Sequence, residues 1–119
     1  MQLTAQALAD LIKALRSNPS TGMDKRRNPR VGLRARADIQ IPISNERLSI
    51  WVRDVSAGGV NILCSRYFEV NAQFILVLGS DTSEQAVCTV RHCRRVGSDL
   101  YGIGARFVDY SPRKRNKAA

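Results

Sequence analysis

Histidine and tryptophan occur once each in 119 residues and cysteine three times, a sparse supply of side chains used for proton transfer, stacking and soft-metal binding. His92 lies with Cys88 and Cys93 in a stretch that alternates as a strand does. Residues five apart on a strand are expected on opposite faces, so this trio does not read as a zinc site, and packing within a strand accounts for it better. Cys64, Cys88 and Cys93 are odd in number, without the spacing of a disulfide framework. Neither a secretory signal nor a long apolar run is present, which points to a reducing cytoplasm. The apolar stretch from Leu3 to Leu15 is too short to span a bilayer and is interrupted by Asp10 and Lys13. Ser56 lacks the Gly-x-Ser-x-Gly elbow of a hydrolase nucleophile, and Gly102-Ile103-Gly104 has no phosphate loop after it. These absences argue against an enzyme, and no metal or cofactor is expected.

Positive charge is what the chain has in excess. Nineteen Lys and Arg face ten Asp and Glu, a formal net charge of +9, which favours polyanionic partners over cationic ones. Part of the charge is local: Lys25, Arg26, Arg27, Arg30, Arg34 and Arg36 fall between positions 25 and 36 with no acid among them. A second cluster, Arg113, Lys114, Arg115 and Lys117, reads as a solvated tail. Guanidinium groups suit phosphate because they present paired donors in a rigid fork, and the same flat cation stacks on a purine face. Downstream, Asp54-Val55-Ser56-Ala57-Gly58-Gly59 forms a small polar turn of the kind that complements a guanine edge.

The length suits one small domain with a real core, and 44% hydrophobic content is ordinary for a globular chain. Leu3, Ala7, Leu8, Leu11, Ile12 and Leu15 recur at helical spacing, so residues 4–16 read as an amphipathic helix capped by Thr4. Its apolar stripe must cover the domain's own core or a partner. Ser17 to Asp24 then reads as a linker, broken by Asn18-Pro19 and Gly22. From Leu33 the period changes to two: Leu33, Ala35, Ala37, Ile39 and Ile41 alternate with polar residues. Further strand-like runs are Leu48 to Asp54, Val60 to Cys64, Phe74 to Leu78, Ala86 to Val96 and Leu100 to Val108. Gly97-Ser98-Asp99 is the hairpin turn between the last two. Residues 65–72 read as a longer loop or bend, with room for a short helical turn around Arg66 to Glu69. About six short strands without intervening helices argue for an antiparallel barrel or sandwich.

The Arg-rich segment and the turn together resemble the PilZ domain, a bacterial receptor for cyclic diguanylate. Arg26 and Arg30 stand as Arg-x-x-x-Arg, and Asp54, Ser56 and Gly59 as Asp-x-Ser-x-x-Gly. Tyr101-Gly102-Ile103-Gly104-Ala105-Arg106-Phe107 is similar to the family's closing strand. The likeness covers roughly residues 24–110 and implies a mainly all-β, six-stranded antiparallel barrel, here behind an N-terminal amphipathic helix. The expected organisation is helix and linker over 1–23, barrel over 24–110 and basic tail over 111–119.

The resemblance implies that Arg26 and Arg30 grip phosphate and stack on guanine, that Asp54 and Ser56 hydrogen-bond the ligand, and that Gly59, beside Gly58, lets backbone approach closely. Arg27 falls at a variable position and contributes electrostatically. Lys25, directly before the motif, goes in this family with a stacked, intercalated ligand dimer. Family members often end in a C-terminal helix, for which Ser111-Pro112 and the tail leave little material; the N-terminal helix either packs over the barrel mouth in its place or docks a partner. The expected mechanism is a switch in which the segment from Met23 to Gly32 is mobile when free and folds onto the barrel as phosphate neutralises it. With no output domain encoded, an unidentified partner protein would read the change. Two rival readings are a basic barrel binding single-stranded nucleic acid and a ligand-free PilZ-like adaptor. The first calls for aromatics interleaved with basic residues, whereas Trp51, Tyr67, Phe68, Phe74, Tyr101, Phe107 and Tyr110 are scattered. The second is disfavoured by two intact motifs.

Overall fold

A computed structural model of the chain describes residues 1–16, 22–23, 31–78 and 84–111. Helix α1 (Ala5–Arg16) is followed by strands β1 (Gly22–Met23), β2 (Val31–Gln40), β3 (Arg47–Val55), β4 (Gly59–Cys64), β5 (Gln73–Leu78), β6 (Glu84–Gly97) and β7 (Leu100–Ser111). All pairings are antiparallel, in the order β1-β2-β3-β4-β7-β6-β5, and β2 also pairs with β5. That last pairing closes β2 to β7 into a six-stranded barrel, with β1 a two-residue addition beside Leu33 and Arg34. Closure removes the unpaired edges of an open sheet.

The alternation read from the sequence is the alternation of burial. Ala35, Ala37 and Ile39 of β2, Ile50 and Val52 of β3 and Val60, Ile62 and Cys64 of β4 point into the barrel, and Phe74 and Phe107 are its largest fully buried side chains. Turns supply the backbone freedom the strands lack: Asn45, Asn71 and Asp99 adopt positive φ, which Asn and Asp tolerate better than other non-glycine residues. Between Cys64 and Gln73 the chain bends at Ser65-Arg66 and turns at Val70-Asn71, with no helical turn at Arg66 to Glu69. Phe68 drops into the core against Phe74, with ring centroids 6.1 Å apart. That burial, together with the bidentate ion pair from Arg66 to Glu46, draws the segment across the barrel end in an extended path.

Helix α1 is capped as its sequence suggests, the Ala7 N–H donating to Thr4 Oγ1 at 3.1 Å. Its stripe is spent on the chain's own core: Leu3, Leu11 and Leu15 are buried in the same cluster as the barrel residues, and Ala7, Leu8 and Ile12 pack against it. Burying a leucine contributes about 1.5–3 kcal/mol, so α1 is an integral cover of the barrel.

One expectation from strand parity fails. Cys88 is the ladder partner of Phe107 and Cys93 of Ile103, and both partners point inward, so the two cysteines share a face. The cause is the register shift between Val90 and His92, because a bulge residue resets the alternation. The cysteines still lie about 16 Å apart along the strand at its usual rise.

Candidate functional site

The β3–β4 turn is shaped by two hydrogen bonds and one close approach. The Ser56 N–H donates to the Gly59 carbonyl at 2.9 Å, and the Phe107 N–H reaches the Gly58 carbonyl at 3.0 Å. A Cβ on Gly59 would collide with the Ala105 carbonyl oxygen and come within 3.1 Å of the Arg106 Cα. Glycine here lets β7 pass against the turn, a packing reason beside the ligand-approach reason suggested by resemblance. Gly58 is open, with only the Gln2 side chain 3.8 Å from where a Cβ would lie. The N-terminal segment backs the turn, the Leu3 N–H donating to the Ala57 carbonyl at 2.7 Å.

Asp54 is set by irregular pairing on both sides. β2 carries an extra residue against β3 between Gly32 and Ala35, and β3 carries one against β4 between Val52 and Asp54. A bulge re-aims side chains; here Val52 and Val55 both stay buried while Arg53 is exposed and Asp54 half-buried. Asp54 Oδ1 accepts a hydrogen bond from Asn61 Nδ2 at 2.7 Å, which orients the carboxylate and leaves its second oxygen for another donor. Ser56 is half-buried, and its hydroxyl bonds to no described residue.

Asn61 was not singled out from sequence. It sits opposite Asp54 on one side and Gly104 on the other, and Gly104 in turn opposes His92. A row Asp54-Asn61-Gly104-His92 therefore crosses the outer face of four strands. The His92 ring lies over Gly104, with Cδ2 2.9 Å from where a Cβ would stand, and Val96 Cγ1 covers Gly102 similarly at 3.3 Å. Close packing is thus the role of both glycines.

Lys25, Arg26, Arg27 and Arg30 lie outside the described residues. Their flanks are described: Met23 pairs with Leu33, Val31 with Val55 and Gly32 with Asp54. The chain therefore enters β2 beside the Asp54 carboxylate immediately after Arg30. The first two residues after the Arg motif, Val31 and Gly32, are thus ladder partners of Val55 and Asp54.

Elsewhere on the outer face the Arg36 guanidinium sits 5.2 Å from the Trp51 ring centroid and donates to Ser49 Oγ at 2.9 Å. Phe68, Phe74 and Phe107 are core residues, while Tyr67 is exposed and makes an edge contact to Tyr101. Among the described residues no group of three His, Cys, Asp or Glu is placed to hold a metal ion, and no helix is long and apolar enough to cross a membrane.

A closed antiparallel barrel with a polar, glycine-containing turn between β3 and β4 is the architecture these elements build. The PilZ domain family model matches residues 24–119, and the chain belongs to this family of cyclic di-GMP-binding domains. A comparison with curated proteins finds no match.

Proposed function

We propose that the protein is a cyclic di-GMP receptor that converts ligand binding into a rearrangement of its Arg-rich segment and signals to a partner protein in the cytoplasm. The observation that supports this reading is the β2–β3 register, Gly32 opposite Asp54 and Val31 opposite Val55, because the residues that directly follow the Arg motif in sequence are the ones paired beside Asp54. Arg26 and Arg30 grip phosphate and stack on guanine. Asp54, held by Asn61, and Ser56 accept from and donate to the guanine edge, while Gly58 and Gly59 keep the approach open. Lys25 and Arg27 add attraction for a multiply charged ligand, and Lys25 favours a stacked pair of ligands. Phosphate neutralises this cluster and draws the segment onto the barrel end. The Leu3–Ala57 hydrogen bond supports a route onward, since any shift of the turn is felt where α1 begins.

Calorimetry with cyclic di-GMP tests the reading. Binding is expected for the intact chain, with a stoichiometry of two ligands per domain, and loss of binding for Arg30→Ala and Asp54→Ala; absence of heat at tens of micromolar ligand refutes it. The rival nucleic-acid reading is opposed by the aromatics: three of the seven are buried in the core and Trp51 is engaged by Arg36, leaving no run of stacking platforms.

A further inference from the structure

The second half of β6 runs beyond its neighbour. β5 pairs with β6 only as far as Gln73 opposite Thr89, and the exchange between Ala72, Asn71 and Val90 ends contact on that side. From Arg91 to Gly97 β6 has β7 as its one partner strand, paired at His92–Arg95 and Gly97 with Arg91 and Val96 as extra residues at two register shifts, so among the described residues the other edge of this stretch has no strand beside it. Burial changes with it. The first half of β6 is mostly buried, whereas Arg91, His92, Arg94, Arg95 and Val96 are exposed. No acid lies between Arg91 and Gly97, and the two ion pairs among the described residues join Arg47 to Asp38 and Arg66 to Glu46, both elsewhere. Arg95 Nε donates only to the Gly97 carbonyl, at 3.2 Å.

We propose that this edge is a docking site for an extended, acidic segment of a partner protein, which adds to the barrel as a strand beside Arg91–Gly97. A bare strand edge presents alternating N–H and C=O groups, and another polypeptide backbone matches that spacing. The charges select among polypeptides. A second copy of the same edge would set Arg against Arg, and like charges opposite one another on a sheet are destabilising; a segment bearing Asp or Glu instead gains arginine–carboxylate hydrogen bonds in fork geometry. The arginines thus protect the edge from self-pairing, a standard need of exposed edges, while leaving it open to one class of partner. Val96, 45% exposed, offers an apolar contact for an alternate side chain of the incoming strand.

The probe is a fluorescent peptide of about eight residues alternating Glu with Val, the length of an ordinary strand. Fluorescence anisotropy should detect binding to the full chain, and amide exchange should slow at positions between Arg91 and Gly97. The double substitution Arg94→Glu with Arg95→Glu should weaken binding by about tenfold or more, and the milder pair Arg94→Gln with Arg95→Gln by less, with unchanged circular dichroism in either. The same peptide N-methylated at alternate backbone nitrogens should not bind. Equal binding of the methylated peptide would reduce the effect to charge alone and overturn strand addition. So would unaltered affinity in both arginine variants, or protection that maps elsewhere. Tighter, arginine-dependent binding of an oligothymidylate would overturn the proposal in favour of nucleic acid.

Discussion

Substituting Gly59 by Ala separates two reasons for a glycine at the turn. If Gly59 serves only ligand approach, the free protein should not notice a methyl group. The structure gives a different expectation, because the new Cβ would fall on the Ala105 carbonyl oxygen and stand 3.1 Å from both the Ala105 carbonyl carbon and the Arg106 Cα. These obstacles are backbone atoms of β7, which is flanked by β4 and β6 and has no rotamer to change. Relief requires β4 and β7 to separate where Gly59 pairs with Arg106, straining the Ser56-to-Gly59 and Phe107-to-Gly58 hydrogen bonds. Overpacking of this kind costs about 1–3 kcal/mol, and one weakened hydrogen bond adds about 1 kcal/mol. The expected loss is therefore about 2–4 kcal/mol, a large part of the roughly 5–15 kcal/mol that holds a domain together. Urea denaturation without ligand, followed by Trp51 fluorescence, measures it. Gly58→Ala is the control, since its Cβ would meet nothing closer than 3.8 Å and should change stability by no more than about 0.5 kcal/mol. Indistinguishable midpoints for Gly59→Ala and wild type would refute the packing argument.

Two further outcomes follow from groups at the barrel ends. The Tyr110 hydroxyl donates to buried Glu84 at 2.8 Å, so Tyr110→Phe should cost about 1–3 kcal/mol by leaving that carboxylate without its donor. Burial first, and then the Glu84 hydrogen bond, raises the phenol above its ordinary value of 10.0. Its stabilising contribution is present below pH 10 and is lost as pH rises through the higher folded value; an alkaline titration of stability should be shallower in Tyr110→Phe, and equal slopes would contradict this. Alkylation followed by mass spectrometry should modify half-buried Cys93 in the native protein and reach Cys64 and Cys88 only in denaturant. Burial raises the Cys64 thiol and pushes that of Cys88 up to about 12, so rapid native labelling of Cys88 would show that this part of the core opens.

Most strands were legible because alternation is a local signal and the turns between them carry Pro, Asn, Gly and Asp at the positions that need them. Strand ends were read short: β6 begins at Glu84 and β7 runs to Ser111. Glu84 is polar yet buried, by virtue of a tyrosine that arrives from the end of β7, and a partner 26 residues away leaves no trace in the local pattern. Bulges were the main blind spot. The apolar pair Val52 and Val55, three apart where alternation demands two or four, was the available sign of the β3 bulge. Around Cys88 and Cys93 a similar irregularity reversed an inference from parity.

The site shows the same division more sharply. Each motif is a short cluster with its chemistry on its face, forked cations in one and an Asp-Ser-Gly turn in the other, and both can be found by inspection. What inspection misses is register: the extra residue in β2 sets Gly32 opposite Asp54, and the extra residue in β3 sets Asp54 opposite Asn61. Asn61 belongs to the same logic, since nothing about an asparagine in Val60-Asn61-Ile62 distinguishes it until the bulge turns Asp54 toward it. A one-residue slip of β3 against β4 would keep every motif intact in sequence, move Asp54 away from Asn61 and exchange the buried and exposed faces. The apolar residues that hold the register, Val52 and Val55 against Ile62 and Val60, therefore determine the geometry of the β3–β4 turn as directly as the polar residues that line it.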